Sequence, residues 1–81
     1  MNDDELRRTV IGTLKGIAPE IEDDELRDDK PLRDQVDLDS MDWLRFLIGL
    51  HGKLSVDIPE ADYAGLVTLQ DLLIYLKARL S

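Results

Sequence analysis

The chain has 81 residues, with 18 Asp and Glu against 10 Lys and Arg, a formal net charge of −8 and no cysteine. At that length a single domain over residues 1–81 is the expected count, and a deep enclosed cleft is excluded. The charge disfavours nucleic-acid backbones and anionic membranes while attracting proteins with basic patches, and the lack of cysteine rules out disulfides, thiolate nucleophiles and Cys-ligated metals.

The opening residues Met1 to Glu5 contain neither a basic nor an apolar leader segment, and no later apolar run approaches membrane-spanning length, so a cytoplasmic protein without stable membrane insertion is expected. From Leu6 the apolar residues Leu6, Val10, Leu14 and Ile17 recur every three to four positions, flanked by Ile11 and Ala18. That spacing predicts an amphipathic helix, capped by Asp3 or Asp4 and closed by Gly16 and Pro19.

Residues 19–38 are rich in acids, carry Pro19 and Pro31, and show no sustained period. Four isolated apolar residues, Ile21, Leu26, Leu32 and Val36, argue for an ordered loop with one short turn near Leu32 to Gln35. Asp39 then offers a cap for a helix reaching about Leu54, within which Gly49 and Gly52 are tolerated. Pro59 suits the first position of a short helix to about Tyr63, closed by Gly65. The last helix has Thr68 as cap with Asp71 three residues on, Val67 placed to staple onto Leu72, and Leu69, Leu72, Leu73, Leu76 and Leu80 as its buried stripe. Together these elements predict an all-α chain: a small four-helix bundle with a long first loop and a short third helix.

The helix beginning at Ser40 has two apolar faces. At about 100° per residue, Trp43, Phe46, Leu47, Leu50 and Leu54 occupy one arc, and Met41, Leu44 and Ile48 form a second stripe on the other side of Ser40. A surface helix of so small a bundle can hardly bury both, so the second stripe is expected to be exposed and to dock a partner, with Arg45 in the polar remainder beside it. The competing expectation is that the long loop folds over this stripe. Ser40 places a hydroxyl at a helix N-terminus, where open N–H groups and the helix dipole favour an attached phosphate.

Asp37-Leu38-Asp39-Ser40-Met41-Asp42 resembles the phosphopantetheine attachment site of acyl carrier proteins, usually Asp-Ser-Leu at the start of an amphipathic helix. Asp57-Ile58-Pro59 is similar to the family's segment before its short third helix, and Thr68-Leu69-Gln70-Asp71-Leu72 to the start of its last one. With the long acidic loop before the serine, the resemblance covers nearly the whole chain. It implies a non-enzymatic carrier in which Ser40, with Asp39 as its motif neighbour, is esterified with 4′-phosphopantetheine from coenzyme A by a phosphopantetheinyl transferase. The arm's thiol would hold an acyl group as a thioester and deliver it to acyl-loading and acyl-transferring enzymes of a fatty-acid, polyketide or dedicated lipid-type pathway. Met41, Leu44, Arg45 and Ile48 would dock partners, and Trp43, Phe46, Leu47 and Leu50 would border an acyl pocket.

Two departures stand out. Carriers of fatty-acid synthesis have a Glu-rich second helix, whereas this one has Arg45, His51 and Lys53 after a single acid, Asp42, which suggests a dedicated set of partners. Trp43 is a bulky residue for the border of an acyl cavity. Peptidyl carriers have a Gly-Gly pair before the serine that Val36-Asp37-Leu38-Asp39 lacks, leaving aminoacyl cargo as the alternative. The chain's ends suggest a separate carrier, and a monomer is expected. An unmodified helical adaptor is the rival from another class. Ser40 and His51 do not suit a nucleophile and base, since eleven residues of helix separate them by roughly 16 Å. The acids around Ser40 also lack the Gly and Glu of a calcium loop, so no metal is expected.

Overall fold

The computed structural model describes residues 1–80. Its long helices are α1 (Asp3–Ile17), α3 (Ser40–Leu54) and α4 (Leu69–Leu80), with α1 packed against both α3 and α4. A four-residue helix α2 (Leu32–Gln35) and two 3₁₀ turns, Asp23–Glu25 and Glu60–Gly65, complete the bundle. No strand forms among the described residues; Pro31 and Thr68 make one isolated antiparallel bridge.

In α1 the predicted apolar face is inside, with Leu6, Val10, Ile11 and Leu14 buried and Ile17 partly so. The cap lies one residue earlier than expected: Asn2 Oδ1 accepts the Glu5 N–H at 2.8 Å. Asp3, Asp4 and Glu5 fall in the first turn instead, where their charges suit the positive end of the helix dipole. The helix ends where Ala18 donates its N–H to Leu14 O at 2.9 Å, just before Pro19.

The long loop is ordered by burial of Ile21, Leu26, Leu32, Val36 and also Leu38, each an apolar side chain worth about 1.5–3 kcal/mol when removed from water. Polar ties add to this. Arg7 Nη1 donates to Asp28 Oδ2 at 2.6 Å and Lys15 Nζ to Asp23 Oδ1 at 3.0 Å, fastening the loop to α1. Gln35 accepts the Arg27 N–H and donates to the carbonyls of Arg27 and Lys30. At its far side Leu32 donates its N–H to Val67 O and Gln70 its N–H to Asp28 O, so the loop is also joined to the start of α4.

Trp43, Phe46, Leu47, Leu50 and Leu54 of α3 are buried as the wheel predicts. A Cβ at Gly49 would stand 2.9 Å from Thr13 Cγ2, so this glycine sets the approach of α3 to α1. Thr13 is buried and its Oγ1 donates to Thr9 O at 2.8 Å, which holds its methyl in place. Gly49→Ala is therefore expected to destabilise by about 1–2 kcal/mol, overpacking outweighing the gain of about 1 kcal/mol in helix propensity. Adding Thr13→Ser, which deletes the clashing methyl, should recover part of the loss in urea titrations of the four proteins of the cycle. The chain leaves α3 through Ser55, a non-glycine residue in the left-handed region at φ 54°.

The short helix after Asp57 is a 3₁₀ turn, and Pro59 stands as its cap, not its first residue. The start of α4 is the expected reciprocal box: Thr68 Oγ1 accepts the Asp71 N–H at 3.0 Å while Asp71 Oδ2 accepts the Thr68 N–H at 3.0 Å. Val67 is exposed instead of seated as a staple, and its main chain bonds Asp71 and Leu32. Leu69, Leu72 and Leu76 are fully buried and Leu73 partly so, but Leu80 is exposed because the final turn extends past the body of the bundle.

Hydrogen bonding, from the Thr68 N–H above all, holds the Asp71 carboxyl below its ordinary value of 3.8. A depressed folded-state value means that this carboxylate stabilises the fold above its unfolded value, and that the contribution disappears as pH falls through the folded one. Asp71→Asn should accordingly lower Tm at neutral pH and show a smaller further fall than the wild type on acidification below about pH 4.

Candidate functional site

Ser40 is the first residue of α3 and is exposed. The cap is the preceding residue: Asp39 Oδ1 accepts the Asp42 N–H at 2.8 Å and Asp39 O the Trp43 N–H at 3.0 Å. Asp39 thus fixes the helix start and leaves Ser40 free of that task. The N–H groups of Ser40 and Met41, the unpaired donors of a helix beginning, have no hydrogen-bond acceptor among the described residues, and the Ser40 hydroxyl likewise makes no internal bond. An outward hydroxyl beside open N–H groups at the positive end of a fifteen-residue helix fits a covalently attached phosphodiester.

Beside it lies the second apolar stripe, which the loop does not cover. Met41 is 61%, Leu44 38% and Ile48 59% exposed. Arg45, on the same surface, is exposed too. Partners are thus offered three apolar side chains and a guanidinium on the helix that carries the serine.

The residues expected to border an acyl pocket lie on the core side. Phe46 and Leu50 are completely buried, Leu47 almost so, and Trp43 packs on Phe46 with ring centroids 5.3 Å apart and planes at 49°. Trp43 also borders a small groove of about 230 Å³ with Arg33, Tyr63 and Val67. A larger groove of about 450 Å³ runs between α3 and the segment after it, lined by Leu47, Ile48, His51, Asp57, Ile58, Pro59 and Tyr63. Of the four expected pocket residues it takes in only Leu47. Sequence reasoning did not assign Ile58, Pro59 and Tyr63 to a site, although Asp57-Ile58-Pro59 had been singled out as a motif and was the available signal. His51 is at the groove's rim; its Nδ1 lies 2.9 Å from Val56 O, a distance across which a protonated Nδ1 donates, and 3.7 Å from Asp57 Oδ1.

An exposed hydroxyl at a helix start beside an exposed apolar stripe, on a chain with no thiol of its own, is the arrangement expected of a carrier domain, one loaded and unloaded by other proteins. The profile of the phosphopantetheine attachment site family matches residues 8–76. An acyl carrier protein of Rhodococcus erythropolis is 33% identical over 71 residues, covering 84% of this chain and 78% of its own length. The meromycolate extension acyl carrier protein of Mycobacterium tuberculosis H37Rv is also 33% identical over 84% of this chain, which spans only 56% of that relative. The solution structure of an Anaplasma phagocytophilum protein provisionally assigned as an acyl carrier protein superposes with a TM-score of 0.85 at 24% identity, covering 100% of this chain and 94% of that one. The chain belongs to the acyl carrier protein family. As such it is a carrier and not a catalyst, its prosthetic group is covalently attached 4′-phosphopantetheine, and it interacts with a phosphopantetheinyl transferase and with acyl-handling enzymes.

Proposed function

We propose that Ser40 is the attachment residue and that the chain, a single domain over residues 1–81, carries acyl groups in the cytoplasm for a fatty-acid, polyketide or dedicated lipid-type pathway. The observation that carries the assignment is the exposed Ser40 hydroxyl at the first turn of α3, made available by Asp39 acting as the cap. The attached arm supplies a terminal thiol to which the acyl group is bound. The chain's own part is to hold that arm at a fixed helix terminus, to screen its phosphate with the open N–H groups of Ser40 and Met41, and to present Met41, Leu44, Arg45 and Ile48 to the enzymes it serves. The likeness to a general and a meromycolate-extension carrier supports fatty-acyl cargo over aminoacyl cargo. No helix among the described residues is long and apolar enough to cross a membrane.

Intact-mass measurement after incubation with coenzyme A and a broad-specificity phosphopantetheinyl transferase tests the assignment. The wild type should gain one phosphopantetheinyl group and a folded Ser40→Ala none. A Ser40→Ala protein that is still loaded would move the attachment to another hydroxyl, and a folded wild type refused by several transferases would favour an unmodified adaptor.

A further inference from the structure

The charge of −8 is distributed unevenly. Residues 18–39 hold ten Asp and Glu against Arg27, Lys30 and Arg33, whereas α3 holds only Asp42 against Arg45 and Lys53. The helix that bears the apolar stripe is therefore, like α4 with Lys77 and Arg79 against Asp71, a segment of this acidic chain in which cations outnumber acids.

Arg45 is placed to matter there. It follows Met41 by four residues and precedes Ile48 by three, so it neighbours both on the helix surface. It is exposed and makes no hydrogen bond or ion pair among the described residues, although Asp42 is only one turn away. Other cations are engaged, Arg7 with Asp28, Lys15 with Asp23, Lys77 with Asp3 and Arg79 with Asp62, whereas Arg45, like Lys53 on the same helix, makes no ion pair among the described residues. The opposite edge of the stripe has the other sign, for His51 leads there to the exposed Asp57. Seating Met41 and Ile48 in a partner must bring the Arg45 guanidinium to the rim of the interface. A carboxylate there would form a charge-assisted pair, and a Lys or Arg there would be repelled.

We propose that the acyl-handling enzymes this carrier serves present a carboxylate at the edge of the apolar pocket that takes Met41, Leu44 and Ile48, and that it pairs with Arg45. This rests on the reading that Ser40 bears the arm and that the stripe docks. Arg45 then selects among partners by charge and fixes the rotational register of α3, while the acids before Ser40 provide long-range attraction to basic regions elsewhere on the enzyme.

The probes are a malonyl-transferring enzyme whose carrier-docking face is basic and a variant of it in which the cation facing the carrier helix is replaced by Glu. Wild type, Arg45→Ala and Arg45→Glu are first loaded with the arm and verified by intact mass, so that a failure of the Ser40 assignment shows at that stage and not in the comparison. On the basic-faced enzyme kcat/KM should rise from wild type through Arg45→Ala to Arg45→Glu, by about fivefold or more at low salt. On the charge-reversed enzyme the order should invert, and both trends should shrink as ionic strength rises. An Arg45→Glu protein that is no better on the basic-faced enzyme, or the same ranking on both enzymes at any level of activity, would overturn the proposal.

Discussion

Replacing Phe46 by Ala is expected to remove a large part of the protein's folding stability. The ring is completely buried at the middle of α3 and supports Trp43 at 5.3 Å. Its removal deletes the transfer free energy of a phenyl group and opens a cavity that helices fixed by the close Gly49 to Thr13 approach cannot easily fill. Such truncations cost about 3–5 kcal/mol. A domain of this size has about 4–12 kcal/mol in all, at roughly 0.05–0.15 kcal/mol per residue. The urea midpoint followed by far-UV circular dichroism should fall by a third or more, with Phe46→Leu much less affected. A Phe46→Ala midpoint close to wild type would mean that Trp43 and Leu50 close the space, and that the core around α3 is far more deformable than its packing indicates.

The second large effect is on transfer and leaves the fold intact. Ile48 is 59% exposed, so Ile48→Asp removes little buried surface, yet it puts a charge in the middle of the apolar stripe. The loaded variant should keep its unfolding free energy within about 0.5 kcal/mol of wild type in urea titrations. Its kcat/KM as substrate for an acyl-transferring enzyme should drop by about 10- to 100-fold, the scale of losing one well-seated apolar anchor. Ile74 on α4 is the control, at 62% exposure and outside the Ser40 helix. Ile74→Asp should leave transfer unchanged. Equal losses in the two variants would mean that the docking face is not the stripe beside Ser40.

Much of this could be read from periodicity. Leu6, Val10 and Leu14 of α1 and the two faces of α3 follow from 3.6-residue spacing, because burial in a helical bundle is set by which face meets the neighbours. The Thr68 and Asp71 box was legible because both partners are side chains at a fixed interval. The loop was legible only in part: its apolar anchors announced order, but no pattern predicts that Gln35 clamps the backbone of Arg27 and Lys30, since that bond depends on the fold of the intervening chain. The cap at Asn2 was missed because three acids follow it and any of them could have served. Leu80 was placed inside because periodicity says which side of a helix faces the core and not where along the axis the core ends. At the site, Ser40 and the exposed stripe were legible from the motif and the wheel. The groove was not, because Ile58, Pro59 and Tyr63 reach Leu47 and Ile48 through the turn at Ser55, a left-handed residue that nothing in the local sequence marks.

The backbone bonds from Leu32 to Val67 and from Gln70 to Asp28 carry a dynamic consequence. They splice the loop between α1 and α3 to the first turn of α4, and Arg7 holds the same Asp28 from α1. A segment so fastened cannot swing out without freeing two helices, so it belongs to the same cooperative unit as the core and exchanges its protected amide protons only through openings that approach global unfolding. The acid-rich crossing is then a fixed wall of the bundle and not a flap, and the 3₁₀ turn Glu60–Gly65 is tied down likewise, Asp62 accepting from Tyr75 and Arg79 of α4, which leaves the motion that accompanies loading or delivery to the arm.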